Sequence, residues 1–374
     1  MIYLDNAATT LPDPRVIETI AETLKRYPGN PSSLHKLGRE AARLLCSCRE
    51  TILDSLGGGG SLTFTSGGTE SNNWAIYGAL HLMRHKGRHI VSTGIEHDAV
   101  LAPLRELGDR GYEVSLLQPD ATGQISAESL ANALREDTVL VSVMQVNNET
   151  GAILPIREMA EIVRMKSGAL FHTDAVQAFG KIPLCPTKLG VDLLSISSHK
   201  LHGPRGVGAL WIRDGVKLPP LLRGGGQENG LRSGTEALHH IAGFTTAVEL
   251  SVGRLSETTT HFETLQTYLR ETLPLSLPRV RFLPQGVPHI VSLSLPGTKS
   301  EVLMNYLDSR DIYLSHASAC KRGGRSHVLS AMGLPADVID GTIRVSFSRE
   351  TSIEDLDQLI SALKEACITL FPRF

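Results

Sequence analysis

A lysine at the end of an apolar run is the first residue of this chain equipped for chemistry. Leu193-Leu194-Ser195-Ile196-Ser197-Ser198-His199-Lys200 reads as a buried strand ending in small hydroxyl residues, a histidine and one amine. An amine at the mouth of such a strand loses solvation, which favours its neutral, nucleophilic form. A neutral amine condenses with aldehydes, pyridoxal 5'-phosphate among them. Upstream, Phe171-His172-Thr173-Asp174-Ala175-Val176-Gln177 is a second strand-like run that ends in an acid. That cofactor needs an acid facing its pyridinium nitrogen, because the contact keeps the ring protonated and electron-withdrawing. Taken alone, Lys200 reads as an ordinary surface lysine at a strand end. Together, Asp174 and Lys200 fit one recurring cofactor arrangement.

Other segments can complete such a site. Thr65-Ser66-Gly67-Gly68-Thr69-Glu70-Ser71-Asn72 follows a strand and opens a helix. Gly67 and Gly68 let backbone N–H groups approach an anion, the helix N-terminus adds a favourable dipole, and Thr69 supplies a hydroxyl. The same residues also read as an ordinary N-cap with Glu70 in the first turn. Gly57 to Gly60 lacks the Lys-Ser/Thr of a P-loop and is expected to be a turn. Glu96-His97 follows the next strand; His97 either stacks on a cofactor and moves protons or is a bystander in a capping loop. Val146-Asn147-Asn148-Glu149-Thr150-Gly151 places an amide, Asn148, at the same kind of edge. Gly224-Gly225-Gly226 and Arg232-Ser233-Gly234-Thr235 form a second glycine-rich, hydroxyl-bearing segment that can contact a phosphate, including one held by a second subunit.

The elements that must position these residues are legible as alternation. Residues 61–65, 89–92, 112–117, 139–143, 169–172, 192–196 and 207–212 read as strands. Segments long enough for helices separate most of them, such as 126–135 and 155–166. That order predicts an α/β fold with a mainly parallel sheet, whose ligands gather at the carboxyl ends of strands. Beyond about residue 255 the texture changes to a smaller α+β pattern, with helices over 256–271, 300–309 and 353–370 and strands over 289–295, 312–314 and 343–347. At 374 residues the chain exceeds the size one core usually serves, so two units are expected: 11–255, and 1–10 with 256–374.

Bulk properties exclude several classes. Lys and Arg number 37 against 39 acids, a net charge of −2, which gives no global pull toward nucleic acid or membrane. No apolar run reaches membrane-spanning length, and the N-terminus lacks a basic region followed by an apolar one. A cytoplasmic location is expected. The cysteines are Cys46, Cys48, Cys185, Cys320 and Cys367, a sparse, odd set that argues against a disulfide framework. Cys46 and Cys48 read as structural, and no zinc-site spacing is present, so no metal is expected.

Taken together, these motifs resemble one family, the pyridoxal phosphate-dependent cysteine desulfurases of the NifS/IscS type, within the class V aminotransferases of fold type I. The resemblance runs from Tyr3-Leu4-Asp5-Asn6-Ala7-Ala8-Thr9-Thr10 and Gly29-Asn30-Pro31-Ser32-Ser33 through each segment above to His316-Ala317-Ser318-Ala319-Cys320. It implies a large domain built on a mainly parallel seven-stranded sheet. It implies that Lys200 carries the cofactor and Asp174 contacts the pyridine nitrogen, with Gln177 and Asn148 near the phenolic oxygen or the ring. His97 would stack on the ring and take part in proton transfer. Gly68, Thr69, Ser197 and His199 would bind the phosphate, with Thr235 offered by the partner of a homodimer. Arg344, in Thr342-Ile343-Arg344-Val345-Ser346, would hold the carboxylate of L-cysteine, with Asn148 beside it, because a guanidinium fork suits a carboxylate.

Cys320 is the nucleophile on this resemblance; by itself it reads as a buried structural cysteine. Its thiolate would take sulfur from L-cysteine, leave L-alanine, and pass the persulfide to an acceptor protein. An iron–sulfur scaffold is the family's usual acceptor and a tRNA-thiolation enzyme is another. The following run Lys321-Arg322-Gly323-Gly324-Arg325-Ser326-His327 is shorter and more basic than the family pattern. Lys321, Arg322 and Arg325 are therefore expected to favour the thiolate and to dock an acidic or RNA-associated acceptor, against the alternative of a solvated charge run. The competing function is another fold type I enzyme, an aminotransferase or a selenocysteine/cysteine lyase.

Overall fold

The computed structural model describes residues 1–316 and 324–371. The strands are β1 (Ile2–Tyr3), β2 (Ser61–Thr65), β3 (His89–Thr93), β4 (Glu113–Leu117), β5 (Thr138–Ser142), β6 (Leu170–Asp174), β7 (Leu193–Ser197), β8 (Gly208–Ile212), β9 (Arg281–Phe282), β10 (Ile290–Ser294), β11 (Ile312–Tyr313), β12 (Ser315–His316) and β13 (Thr342–Ser346). The seven runs read as strands between residues 61 and 212 all join one seven-stranded sheet, in the order β2-β8-β7-β6-β5-β3-β4. Strands β7, β6, β5, β3 and β4 are mutually parallel, and β8 alone runs against its neighbours. Strands β3 and β5 to β8 are buried along their whole length, which is why they read as nearly continuous apolar runs. Edge strand β4 is mostly half-exposed.

The helices are α1 (Pro14–Arg26), α2 (Lys36–Ser55), α3 (Gly68–Leu82), α4 (Asp98–Asp109), α5 (Ala127–Ala133), α6 (Ile156–Lys166), α7 (Pro186–Leu189), α8 (Leu238–Gly253), α9 (Leu255–Ser276), α10 (Ser300–Asp308), α11 (His327–Ala331), α12 (Ala336–Asp340) and α13 (Ile353–Leu370). Local chemistry sets their starts. Asp13 caps α1 by accepting from Arg15 N at 2.9 Å, with Pro14 at the first helical position. Ser352 and Asp355 form a reciprocal capping box at α13. In α2, Cys48 is buried against the core and Cys46, two positions away, is exposed, as a helical period requires. Among the described residues no helix is long and apolar enough to cross a membrane.

The C-terminal part forms an antiparallel sheet, β12-β13-β10-β9, over its own apolar cluster of Leu293, Ile343, Val345 and Phe347 with Leu269, Leu359 and Leu363. The N-terminus crosses to it: β1 pairs with β11, and Asp5 bridges Ser346. Traffic also runs the other way. Val328, Leu329 and Met332 pack into the larger core beside Ile95, Met144 and Val146.

One close approach fixes a loop of the C-terminal part on the turn after β5. Val287 N donates to Gly151 O at 2.8 Å, and a methyl group on Gly286 would lie 1.9 Å from that same oxygen. Gly286→Ala should therefore destabilise the protein by about 1–3 kcal/mol through overpacking. Thermal unfolding checks this, and an unchanged midpoint would show that the contact is not tight.

Candidate active site

Parallel strands place their carboxyl ends on one edge, and the chemistry-bearing residues sit there. Asp174 ends β6, Ser197 ends β7, His97 follows β3 and Asn148 follows β5. These four, with Gly68, Thr69, Gln177, His199, Lys200 and Arg344, line one cavity of about 420 Å³. Ala7, Ala8, Asn72, Met144 and Val176 also line it. Thr235 is exposed and does not line this cavity in its own chain. Cys320, Lys321 and Arg322 lie outside the described residues.

Lys200 ends a single 3₁₀ turn after β7. Its Nζ donates to Ala7 O at 2.6 Å and Ala8 O at 2.7 Å. Burial, aided by the charge of Arg344, pushes the amine down to about 7. Two carbonyl contacts favour the ammonium, so desolvation outweighs them. Asp174, 6% exposed, accepts from Asn72 Nδ2 at 2.6 Å and from Val176 N at 2.9 Å, one donor per oxygen. Gln177 Nε2 donates to Ala7 O at 2.7 Å.

His97 is the N-cap of α4, and its Nδ1 accepts from Ala99 N at 3.0 Å. A backbone N–H can only donate, so the ring proton sits on Nε2. Burial holds His97 below its ordinary range, against the opposing pull of Asp174. His97 thus caps a helix, as one of its two sequence readings has it, and it also lines the cavity. His199 is lowered to about 4 by burial, then by Lys200, and stays a neutral ring beside Thr9 Oγ1 at 3.2 Å.

Arg344 is 1% exposed. Its Nη1 donates to Asn148 O at 2.7 Å and its Nη2 to Asp5 Oδ1 at 2.8 Å, while Nε has no partner. Each terminal nitrogen carries a second N–H, which leaves the fork able to take a carboxylate.

One wall fits a phosphate. Gly67 caps α3 with φ 150°, a conformation that favours glycine, and no side chain caps the helix. A methyl group on Gly68 would meet Val176 Cγ2 at 2.8 Å, so only a glycine leaves the backbone open there. Ser197 Oγ is buried without a hydrogen-bond partner and lies 3.8 Å from where a Gly67 side chain would start. A buried hydroxyl without a partner beside an open helix N-terminus is a fitting cradle for an anion. Asp174 and the amine of Lys200, which line the same cavity, fit a pyridine ring and an aldehyde.

A family model described as "Aminotransferase class-V" matches residues 2–359. The chain belongs to the class-V aminotransferase family. It is 40% identical over 370 residues to "Cysteine desulfurase IscS" of Methanosarcina thermophila, across 97% of this chain and 91% of that one. A solved structure called "NIFS-LIKE PROTEIN" is 38% identical with a TM-score of 0.92, covering 97% of this chain and 98% of that chain. Another, "SspA in complex with cysteine", is 32% identical with a TM-score of 0.80, covering 93% and 99%. The chain thus falls in the NifS/IscS branch of class-V aminotransferases, which are pyridoxal 5'-phosphate enzymes of fold type I.

The sequence reading of this class-V aminotransferase missed three contributors. Asn72 orients the acid; it lies one helical turn beyond Gly68, on the face that looks into the site, which was its only signal. The carbonyls of Ala7 and Ala8 leave no side-chain signal at all. Glu96, next to His97, is fully buried and raised to about 8 by burial, with Oε1 accepting from Thr93 Oγ1 (2.8 Å) and Met144 N (2.9 Å) and Oε2 unpartnered.

Arg325 corrects an expectation. It is not a free docking charge: its guanidinium meets Asp340 at 2.8 and 3.2 Å, and Asp340 also holds Lys299 at 2.6 Å.

A carboxyl raised by folding contributes stability that is whole below its unfolded value near 4.5 and is lost as pH rises through about 8. Glu96→Gln copies the neutral form. It should be near neutral at pH 5 and stabilising at pH 8.5, by on the order of 1 kcal/mol or more. Thermal melts of both proteins at the two pH values check this; equal pH slopes would show that Glu96 titrates normally.

Proposed function

We propose that this class-V aminotransferase is a cysteine desulfurase that converts L-cysteine to L-alanine and takes the sulfur onto Cys320 as a persulfide. The observation that carries the reading is a buried Lys200 amine, lowered to about 7, that shares one cavity with the Asp174 acid and the Arg344 guanidinium. The relatives' name, cysteine desulfurase, and a neighbour's complex with cysteine support it.

Bound pyridoxal 5'-phosphate would supply an electron sink for bond breaking at the substrate's α-carbon. Lys200 would hold the cofactor and carry a proton, which an amine lowered to about 7 does in either direction near neutral pH. Asp174, oriented by Asn72, would hold the pyridine nitrogen. Gln177 and Asn148 would reach the ring or its phenolic oxygen. His97 would lie against the ring and offer its Nε2 proton. Gly68, Thr69, Ser197 and His199 would receive the phosphate. Arg344, with Asn148, would grip the substrate carboxylate. Overall, the Cβ–Sγ bond of L-cysteine breaks, a sulfur–sulfur bond forms at Cys320, and the thiol proton ends on carbon. L-cysteine plus a thiol becomes L-alanine plus a persulfide, with no external oxidant.

A homodimer, a cytoplasmic location and the division into units 11–255 and 1–10 with 256–374 belong to the same proposal. The segment that bears Thr235 suits presentation to a partner subunit. It is exposed from Leu222 to Gly226 and stands on a rigid stem, where Glu228 accepts from Arg49 at 2.7 and 2.8 Å and from Phe64 N at 2.9 Å. The sulfur acceptor is an iron–sulfur scaffold or a tRNA-thiolation enzyme. Docking charge would come from Lys321 and Arg322, since Arg325 is paired.

Two variants test the reading. Lys200→Ala should lose the cofactor fixed by borohydride reduction; retention of covalent cofactor would reassign the lysine. Cys320→Ser should keep the cofactor colour and its response to L-cysteine but form no persulfide and release no sulfide. Full sulfide release by that variant would favour an aminotransferase or lyase of the same fold that needs no thiol.

A further inference from the structure

Ser326 and His327 grip two peptides that adjoin the cavity-lining residues Asn148 and His97. Ser326, 3% exposed, donates its hydroxyl proton to Glu149 Oε2, and its oxygen caps α11 by accepting from Leu329 N at 3.1 Å. His327 Nε2 lies 3.0 Å from Glu96 O. A carbonyl only accepts, so Nε2 donates. Glu149 is the neighbour of Asn148, and Glu96 is the neighbour of His97; both neighbours line the cavity.

The two gripped peptides are themselves one unit. Asn147 is completely buried and ties them together: its Nδ2 donates to Ile95 O at 2.9 Å, and its Oδ1 accepts from Glu149 N and Thr150 N at 2.9 Å each. Val328 and Leu329, which follow the grip, pack in the same core as Ile95 and Met144. At the other end, Ser315 of β12 stands opposite Arg344 of β13. Ser315 therefore stands beside the proposed carboxylate fork, while Ser326 and His327 hold the peptides next to Asn148 and His97.

We propose that Ser326 and His327 are positioning residues for sulfur transfer: through Glu149 and Glu96 they fix where the downstream end of the Cys320 segment meets the cavity. Neither lines the candidate cavity, so their loss should leave cofactor and substrate bound and slow the transfer alone. The inference rests on the desulfurase reading. Glu149 and Glu96 lose a polar partner when the grip is removed, but the sheet edge that holds the cofactor keeps its own contacts.

The test uses the holoenzyme of Ser326→Ala with His327→Leu. L-cysteine binding is read from the cofactor's absorption change. Persulfide on Cys320 is read in a single turnover by alkylation and intact mass. The half-saturating L-cysteine concentration should move less than about twofold while the rate of persulfide formation falls about tenfold or more, as misplacement of a reacting group on the order of 1 Å entails. Ser326→Thr with His327→Gln restores a hydroxyl and an N–H donor and should recover most of the rate. An unchanged rate in the first variant, or loss of L-cysteine binding in proportion to rate, overturns the positioning role. Absence of any Cys320 persulfide in the wild-type protein overturns the parent reading, and this one with it.

Discussion

Taking one ammonium group out of water is the constraint on which the site depends. Lys200 stands where β7 ends, under a lid made by the carbonyls of Ala7 and Ala8. Two hydrogen bonds to carbonyls and the nearby carboxylates Asp5 and Asp174 favour its charge; burial and Arg344 oppose it and win. Each unit of lowering is about 1.4 kcal/mol against the ammonium, so the sheet spends packing energy to hold this amine in a nucleophilic state. The same desolvation keeps His97 and His199 neutral, and the cavity is then lined by rings that donate hydrogen bonds without adding charge.

Closing the cavity takes both ends of the chain. Arg344 belongs to the C-terminal sheet, yet its guanidinium is shared between Asp5 near the N-terminus and Asn148 after β5. Ser346 extends the link, accepting from Ala7 N at 2.8 Å through its hydroxyl. An uncompensated guanidinium buried to this degree would cost several kcal/mol, so Asp5 is required by the position of Arg344 rather than ornamental to it. The lid over Lys200 is in this way held by the residue proposed to hold the substrate.

Much of this was legible in the sequence. The seven strands of the large sheet, and the C-terminal helices from α9 to α13 that the pattern named, were visible because period and burial agree: fully buried strands read as apolar runs and α13 starts at a capping box. Lys200, Asp174, His97 and Asn148 stood out because each sits at or just past the end of a strand. What escaped was chemistry without a local pattern. The carbonyls of Ala7 and Ala8 have no side-chain signature. Asn72 and Glu96 read as parts of helix starts until Asp174 and Met144 are brought to them from elsewhere in the chain. Arg325 read as a free charge because its partner, Asp340, arrives only through the fold of α12.

The central claim is that burial makes Lys200 neutral near physiological pH. Its most direct measurement is the rate at which cofactor-free protein takes up pyridoxal 5'-phosphate as a function of pH, followed by absorption at constant ionic strength. A neutral amine is the reacting form, so the rate should rise with pH and reach half its plateau near pH 7, the value to which burial lowers Lys200. A rate still climbing with a midpoint near the ordinary lysine value of about 10.4 would contradict the account.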